Sequence, residues 1–87
     1  MPRRAAKVDA NQPEIVAYLR AHGFSVEHLH MVGEGCPDIM VGRDEVNYLI
    51  EIKVPGEKLN ERQVKWHGKW RGQKMTVWCV EDLEGIV

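Results

Sequence analysis

Residues 36–53 read CPDIMVGRDEVNYLIEIK. Two carboxylates and a lysine, Asp38, Glu51 and Lys53, are set there into runs otherwise made of Ile, Met, Val, Leu and Tyr. Strand interiors exclude such charges unless something pairs with them. Alternate side chains of an extended strand share a face, so Glu51 and Lys53 are neighbours, on the face that also carries Asn47 and Leu49. A polar turn around Gly42, Arg43 and Asp44 joins the two runs and signals a hairpin. A two-residue turn centred on Asp44–Glu45 sets Asp38 opposite Glu51. A turn centred on Arg43–Asp44 sets Asp38 opposite Leu49, with Glu51 diagonal to it on the same face.

Carboxylates opposed across two strands repel, and that costs stability. A divalent cation between them would relieve the repulsion, with Lys53 alongside and the carbonyl of Ile52 as a further oxygen ligand. Hard oxygen donors without Cys or His suit magnesium or manganese rather than zinc. Such an ion lowers the pKa of a bound water and polarises a phosphoryl oxygen. Lys53 would orient the attacking hydroxide or steady charge developing on a phosphate. The competing reading is a surface hairpin whose Lys53 pairs with both acids in water.

The flanking pattern predicts what must position these groups. A first helix starts near NQPEIVAYLRAHG, capped by Asn11 or Gln12, with Pro13 in its first turn and Gly23 as its stop. Ile15, Tyr18, Leu19 and His22 recur at helical spacing as its buried face. A strand over residues 24–31 and the loop VGEGCP lead to the hairpin DIMVG and EVNYLIEIKV. A second helix, NERQVKWHGKWRG, is capped by Asn60 and stopped by Gly72. KMTVWCV is a last strand, and EDLEGIV a tail with one helical turn. The predicted order is α-β-β-β-α-β, an α/β class.

The chain has 87 residues, 44% hydrophobic and 29% charged, which fits one domain with a core near the lower size limit. No apolar run approaches the ~20 residues that span a bilayer. The basic start MPRRAAKVDA has no hydrophobic stretch behind it, so no secretory signal is expected. Two cysteines are too few for a disulfide framework or a zinc ribbon, and the expected compartment is a reducing cytoplasm. A domain this small often gains stability by self-association. A net charge of -1 argues against a histone-like binder. The charge is polarised, however: Lys58, Arg62, Lys65, Lys69, Arg71 and Lys74 face a single acid, Glu61, within their window. That is the footprint of a phosphate-binding surface.

GCPDIMVG…YLIEIKVPGEKLNERQVKWHGKW resembles the PD-(D/E)xK nuclease superfamily and, more narrowly, the virus-type replication-repair nuclease (VRR-NUC) family. The resemblance covers nearly the whole chain: an early helix with a glutamate, G-x-P-D, E-x-K, and a helix opening with Gln and followed by Trp-His. It implies a restriction-endonuclease-like core with a mixed central sheet flanked by helices, spanning residues 11–87 behind a flexible basic arm at 1–10. It implies that Asp38 and Glu51 bind magnesium, or manganese in its place, and that Lys53 is the catalytic lysine. Glu14 matches a first-helix glutamate that reaches the metal, often through water; Gln63 matches a glutamine beside the site, and Gly35 the loop glycine before PD. One departure from the family pattern is the very short arm before Glu14, so the resemblance implies a minimal, stand-alone version. Such members are homodimers acting on branched DNA, four-way junctions included, in phage or bacterial replication, recombination and repair.

Several residues carry a second reading. Glu14 lies three residues after Asn11, and Gln63 three after Asn60, so both also fit capping boxes. Cys36 has no base at a telling spacing and reads as a small loop residue. His28 and His30 share a strand face and could bind a metal, although ordinary surface or partly buried histidines have the same pattern. His67, one turn after Gln63, is a candidate for a supporting polar contact. Trp66, Trp70 and Trp78 read as core or dimer anchors, with stacking on exposed bases as the alternative. Lys58, Arg62, Lys65 and Lys69 form one helical stripe, either a solvated face or a contact to DNA phosphates. The expected function is a magnesium-dependent DNA endonuclease. The alternatives are a non-catalytic DNA-binding or assembly module on the same fold, and a sequence-specific restriction-type enzyme, for which the chain has little room.

Overall fold

The computed structural model describes residues 9–87; the basic residues Arg3, Arg4 and Lys7 of the expected arm lie outside them. The elements are α1 (Gln12–Ala21), β1 (Ser25–His28), β2 (Ile39–Arg43), β3 (Val46–Ile52), α2 (Glu61–Lys69) and β4 (Lys74–Val77), followed by a 3-10 turn, Val80–Leu83. Their order is the expected α-β-β-β-α-β. The four strands form one sheet in the order β1-β2-β3-β4. β1, β2 and β3 pair antiparallel, and β3 and β4 pair parallel. A parallel pair needs a crossover, and α2 is that crossover.

The hairpin register is the first of the two anticipated. Asp44 and Glu45 hold φ of 56° and 68°, the doubly positive geometry of a type I′ turn, whose twist matches that of the flanking strands. Arg43 then pairs with Val46 and Ile39 with Ile50. One step further along, Asp38 faces Glu51.

Ile15, Val16 and Leu19 of α1 pack with Phe24 on Ile39 and Val41 of β2, Ile50 and Ile52 of β3, Val77 of β4 and Leu83 of the 3-10 turn, all buried. The core therefore fills one face of the sheet. Glu51, at odd parity among these strand positions, is directed to the other face, where α2 lies. None of α2's residues is buried, and its Val64 is 57% exposed.

Three boundaries differ from the sequence reading, each for a local reason. β1 ends at His28 because the chain turns back, with Val32 N donating to Leu29 O at 2.9 Å. α2 stops at Lys69, well before Gly72: Trp70 takes extended backbone and its ring stacks on Trp66 with centroids 4.8 Å apart. Lys58 consequently lies ahead of the helix, and the basic stripe on α2 is Arg62, Lys65 and Lys69. β4 ends at Val77 because Trp78 N donates to Asp82 Oδ2 at 2.8 Å, capping the 3-10 turn. The tryptophans are not core residues: Trp66 and Trp78 are half-buried and Trp70 is 44% exposed.

Candidate active site

Pro37 is fully buried and delivers Asp38 to the mouth of β2. There Asp38 Oδ2 accepts a hydrogen bond from Ile52 N at 2.7 Å, which ties its carboxylate across the hairpin to the end of β3. Glu51 is 2% exposed. Its Oε2 accepts from Gln63 Nε2 at 3.0 Å, while Oε1 is buried with no partner. Burial first, then the charge of Asp38 and a hydrogen bond to it, push the Glu51 carboxyl from 4.5 up to about 9, with Asp9 adding to the shift and Lys53 opposing it. A Glu51 carboxyl raised this far is neutral at neutral pH, which is how a repelling pair survives without a counter-ion.

Lys53 is the first residue past β3. Its backbone is fixed from both sides: N donates to Val77 O at 3.0 Å, and O accepts from Asn11 Nδ2 at 3.0 Å. Asn11 Nδ2 also donates to Trp78 O at 3.0 Å. The expected N-cap role of Asn11 is therefore overturned. Its side chain makes no cap bond to α1 and instead joins the ends of β3 and β4. Asn11→Ala should leave two carbonyls without a partner, at a cost of about 1–3 kcal/mol. In a domain of this size that lowers the melting temperature by roughly 5–15 °C. A thermal melt within about 2 °C of wild type would contradict the joint.

Gln63 satisfies both of its readings at once. Its N donates to Asn60 Oδ1 and its Oε1 accepts from Asn60 N, each at 2.9 Å, completing the capping box. The same amide's Nε2 is the donor to Glu51. The P-D loop and α2 are also locked together. Gly35 has φ +84°, and a Cβ there would overlap the Arg62 carbonyl oxygen and lie 2.8 Å from its carbon. Only glycine allows the loop this close to the helix's first turn.

Asp38, Glu51, Lys53 and Gln63 line one cavity of about 340 Å³, with Asp9 and His30 on its rim. Two expected members are not brought to it. Glu14 is exposed on α1 and lines no part of the cavity, nor does it complete a cap with Asn11. Ile52 gives its N–H to Asp38 but is not among the cavity residues. Asp9, placed by the sequence reading in a loose arm, is the N-terminal carboxylate that faces Glu51; no spacing signal marked it. Cys36 also lines the cavity, where burial and then Glu51 and Asp38 push its thiol upward, keeping it a poor nucleophile. His67 is half-buried on α2 and lies off the cavity; burial, then Lys74, hold its imidazole below the usual range. Of the basic residues Lys58, Arg62, Lys65 and Lys69, all exposed, only Arg62 touches the rim.

Among the described residues no group of three or more His, Cys, Asp and Glu is gathered tightly enough to hold a metal on its own. A divalent ion nevertheless fits the pair: the unpartnered Glu51 Oε1 and the upward push on the Glu51 carboxyl beside Asp38 mark where positive charge is missing. The donors are all hard oxygens, as magnesium and manganese require.

No family model matches this sequence, and no curated protein does either. Among solved structures the chain is similar to one described as a VRR_NUC domain, with 20% identity and a TM-score of 0.71 over 90% of this chain and 95% of that one. Among the described residues no helix is long and apolar enough to cross a membrane. With a likeness of that strength over nine-tenths of its length, this chain has the fold of a VRR_NUC domain.

Proposed function

We propose that this protein is a metal-dependent DNA endonuclease that hydrolyses phosphodiester bonds in the cavity of Asp38, Glu51 and Lys53. The observation that carries this reading is the opposed Asp38–Glu51 pair, its Glu51 buried, beside a lysine whose backbone is tied down at both ends. A structural hairpin has no use for a repelling pair, and that separates this reading from a non-catalytic module.

Asp38 and Glu51 would hold magnesium, with manganese as its substitute. When bound, the ion supplies an acidified water and a Lewis acid for the phosphoryl oxygens. Lys53 sets an ammonium against the charge that develops on the phosphate. Gln63 keeps the Glu51 carboxylate turned toward Asp38, and Asn11 holds Lys53 in place. Glu14 has no part in this scheme as the chain is folded.

The substrate is DNA, recognised by shape, since contacts to phosphates carry no sequence information. Arg62, Lys65 and Lys69 on α2, with Lys58 before it, form the backbone-binding face. Lys65→Glu with Lys69→Glu should weaken binding and reduce the salt slope by roughly two; an unchanged slope in a binding titration would remove α2 from the interface.

A homodimer is the proposed state, supported by the exposed Val64 on a helix that buries nothing and by the exposed Trp70 just past its end. It would set two sites against two strands of a branched substrate. Sedimentation equilibrium at micromolar concentration that returns a 10.0 kDa species would contradict it. Cleavage of a labelled four-way junction beside matched linear duplex and single strand tests the shape preference. Cutting confined to the junction is expected, and cutting of linear duplex at one sequence would favour a restriction-type enzyme.

A further inference from the structure

A second cleft, of about 410 Å³, opens between α1 and the end of β1, and Gln12, Val16, Ala17, Arg20, His28 and His30 line it. That volume is in the range of small-ligand sites. His30 is common to this cleft and to the catalytic cavity, so the two are neighbours across that side chain. Val16 and Ala17 supply apolar wall. Arg20 is exposed and forms no ion pair among the described residues.

The floor is under-satisfied. Gln12 is 3% exposed, an unusual place for an amide, and its Oε1 has no hydrogen-bond partner. Its nitrogen has one long contact, 3.4 Å to His28 Nδ1. His30 Nδ1 is likewise buried without a partner. Buried polar atoms left in this state cost free energy, and a single long contact leaves the amide able to turn toward an incoming group.

Resting on the nuclease reading above, we infer that this cleft takes one unpaired nucleotide of the DNA strand that passes through the catalytic cavity. The base lies against Val16 and Ala17 with its edge on the Gln12 amide, a group that matches the donor and acceptor pattern of adenine. The phosphate meets the Arg20 guanidinium, with His28 beside it. Imidazole rings at the entrance offer a stacking surface, which serves any base. A paired base cannot enter without leaving its helix. The cleft therefore selects for DNA that exposes an unpaired nucleotide, as a flap or a branch point with an opened pair does.

The test is anisotropy in EDTA, so that nothing is cut, on four-way junctions carrying one abasic residue at each position around the branch point. Wild-type protein should lose roughly tenfold in affinity at one position, the scale of one stacked and hydrogen-bonded base. Ala17→Phe, at an exposed position, fills the cleft; it should bind the intact junction about tenfold more weakly and show no further loss at that abasic position. Arg20→Ala should lower affinity and reduce the salt slope by about one. Absence of an abasic effect at every position overturns the inference, even if Arg20→Ala weakens binding, because the contact is then to the backbone alone. An abasic effect that persists in Ala17→Phe overturns it as well. Magnesium-dependent cutting of the intact junction by wild type is scored separately. An inference that fails while cutting persists leaves the nuclease reading standing, and abasic-sensitive binding without cutting supports the cleft.

Discussion

Glu51→Gln should make the metal-free protein more stable at alkaline pH and destroy its activity. The folded chain raises the Glu51 carboxyl from 4.5 to about 9, by burial and by Asp38. Between those two values the folded protein keeps a proton that the unfolded chain has released. Its stability is therefore fully present below about pH 4.5 and is lost as pH rises toward 9. Glutamine is the neutral isostere at every pH and removes that loss. In EDTA, wild type should melt progressively lower from pH 5 to pH 9, and the variant should fall much less. At pH 9 it should melt at least about 5 °C above wild type, the equivalent of roughly 1 kcal/mol in a domain of this size. Magnesium should protect wild type at pH 8, by binding the folded state alone, and should not protect the variant. Cleavage should fall by about 100-fold or more, beyond what loss of an indirect metal-supporting group costs. Parallel melting curves across the pH range would show that Glu51 is an ordinary surface carboxylate.

Gly35→Ala should be the most damaging substitution outside the cavity's charged groups. The added methyl would collide with the Arg62 carbonyl, and the alanine would have to hold φ +84°. Both push the loop and the first turn of α2 apart, and with them the Gln63–Glu51 hydrogen bond of 3.0 Å. Strain of this kind costs about 1–3 kcal/mol, so the melting temperature should drop by roughly 5–15 °C. A displacement near 1 Å at a reacting group costs on the order of 100-fold in rate, so cleavage should suffer more than folding does. Wild-type melting and wild-type rate together would mean that the loop and α2 are not coupled.

The hairpin could be read directly. Alternation fixed which side chains share a face, and only two turn positions were compatible with the polar residues at 42–45. The choice between them needed the backbone, because Asp44 and Glu45 adopt positive φ without a glycine. Lys53 and Gln63 were legible from spacing and from resemblance, but the dual use of Gln63 was not. A capping box and a site contact had looked like alternatives, whereas an amide has two ends and serves both. Asn11 misled for the opposite reason. A residue ahead of a helix reads as a cap from local sequence alone, yet its partners lie 42 and 67 residues away. Glu14 and Asp9 exchanged expectations on the same ground. Which N-terminal carboxylate lines the cavity depends on how residues 9–11 lead into α1, and no periodicity encodes that path. Trp66 and Trp70 have amphipathic spacing, which predicts burial, yet the chain leaves Trp66 half-buried and Trp70 exposed.

The most direct test is hydrolysis of labelled branched DNA by wild type and by Lys53→Ala, each with magnesium and with EDTA. Among the described residues the Lys53 side chain makes no hydrogen bond or ion pair and acts on the fold only through its charge near Glu51, so the variant should melt close to wild type and bind DNA comparably. Wild type with magnesium should release cut strands, EDTA should stop it, and Lys53→Ala should be slower by about 10²–10³-fold, as when one preorganised positive group is removed from a transition state. Cutting at the wild-type rate by Lys53→Ala, or in EDTA, would contradict a metal-dependent site built on Asp38, Glu51 and Lys53.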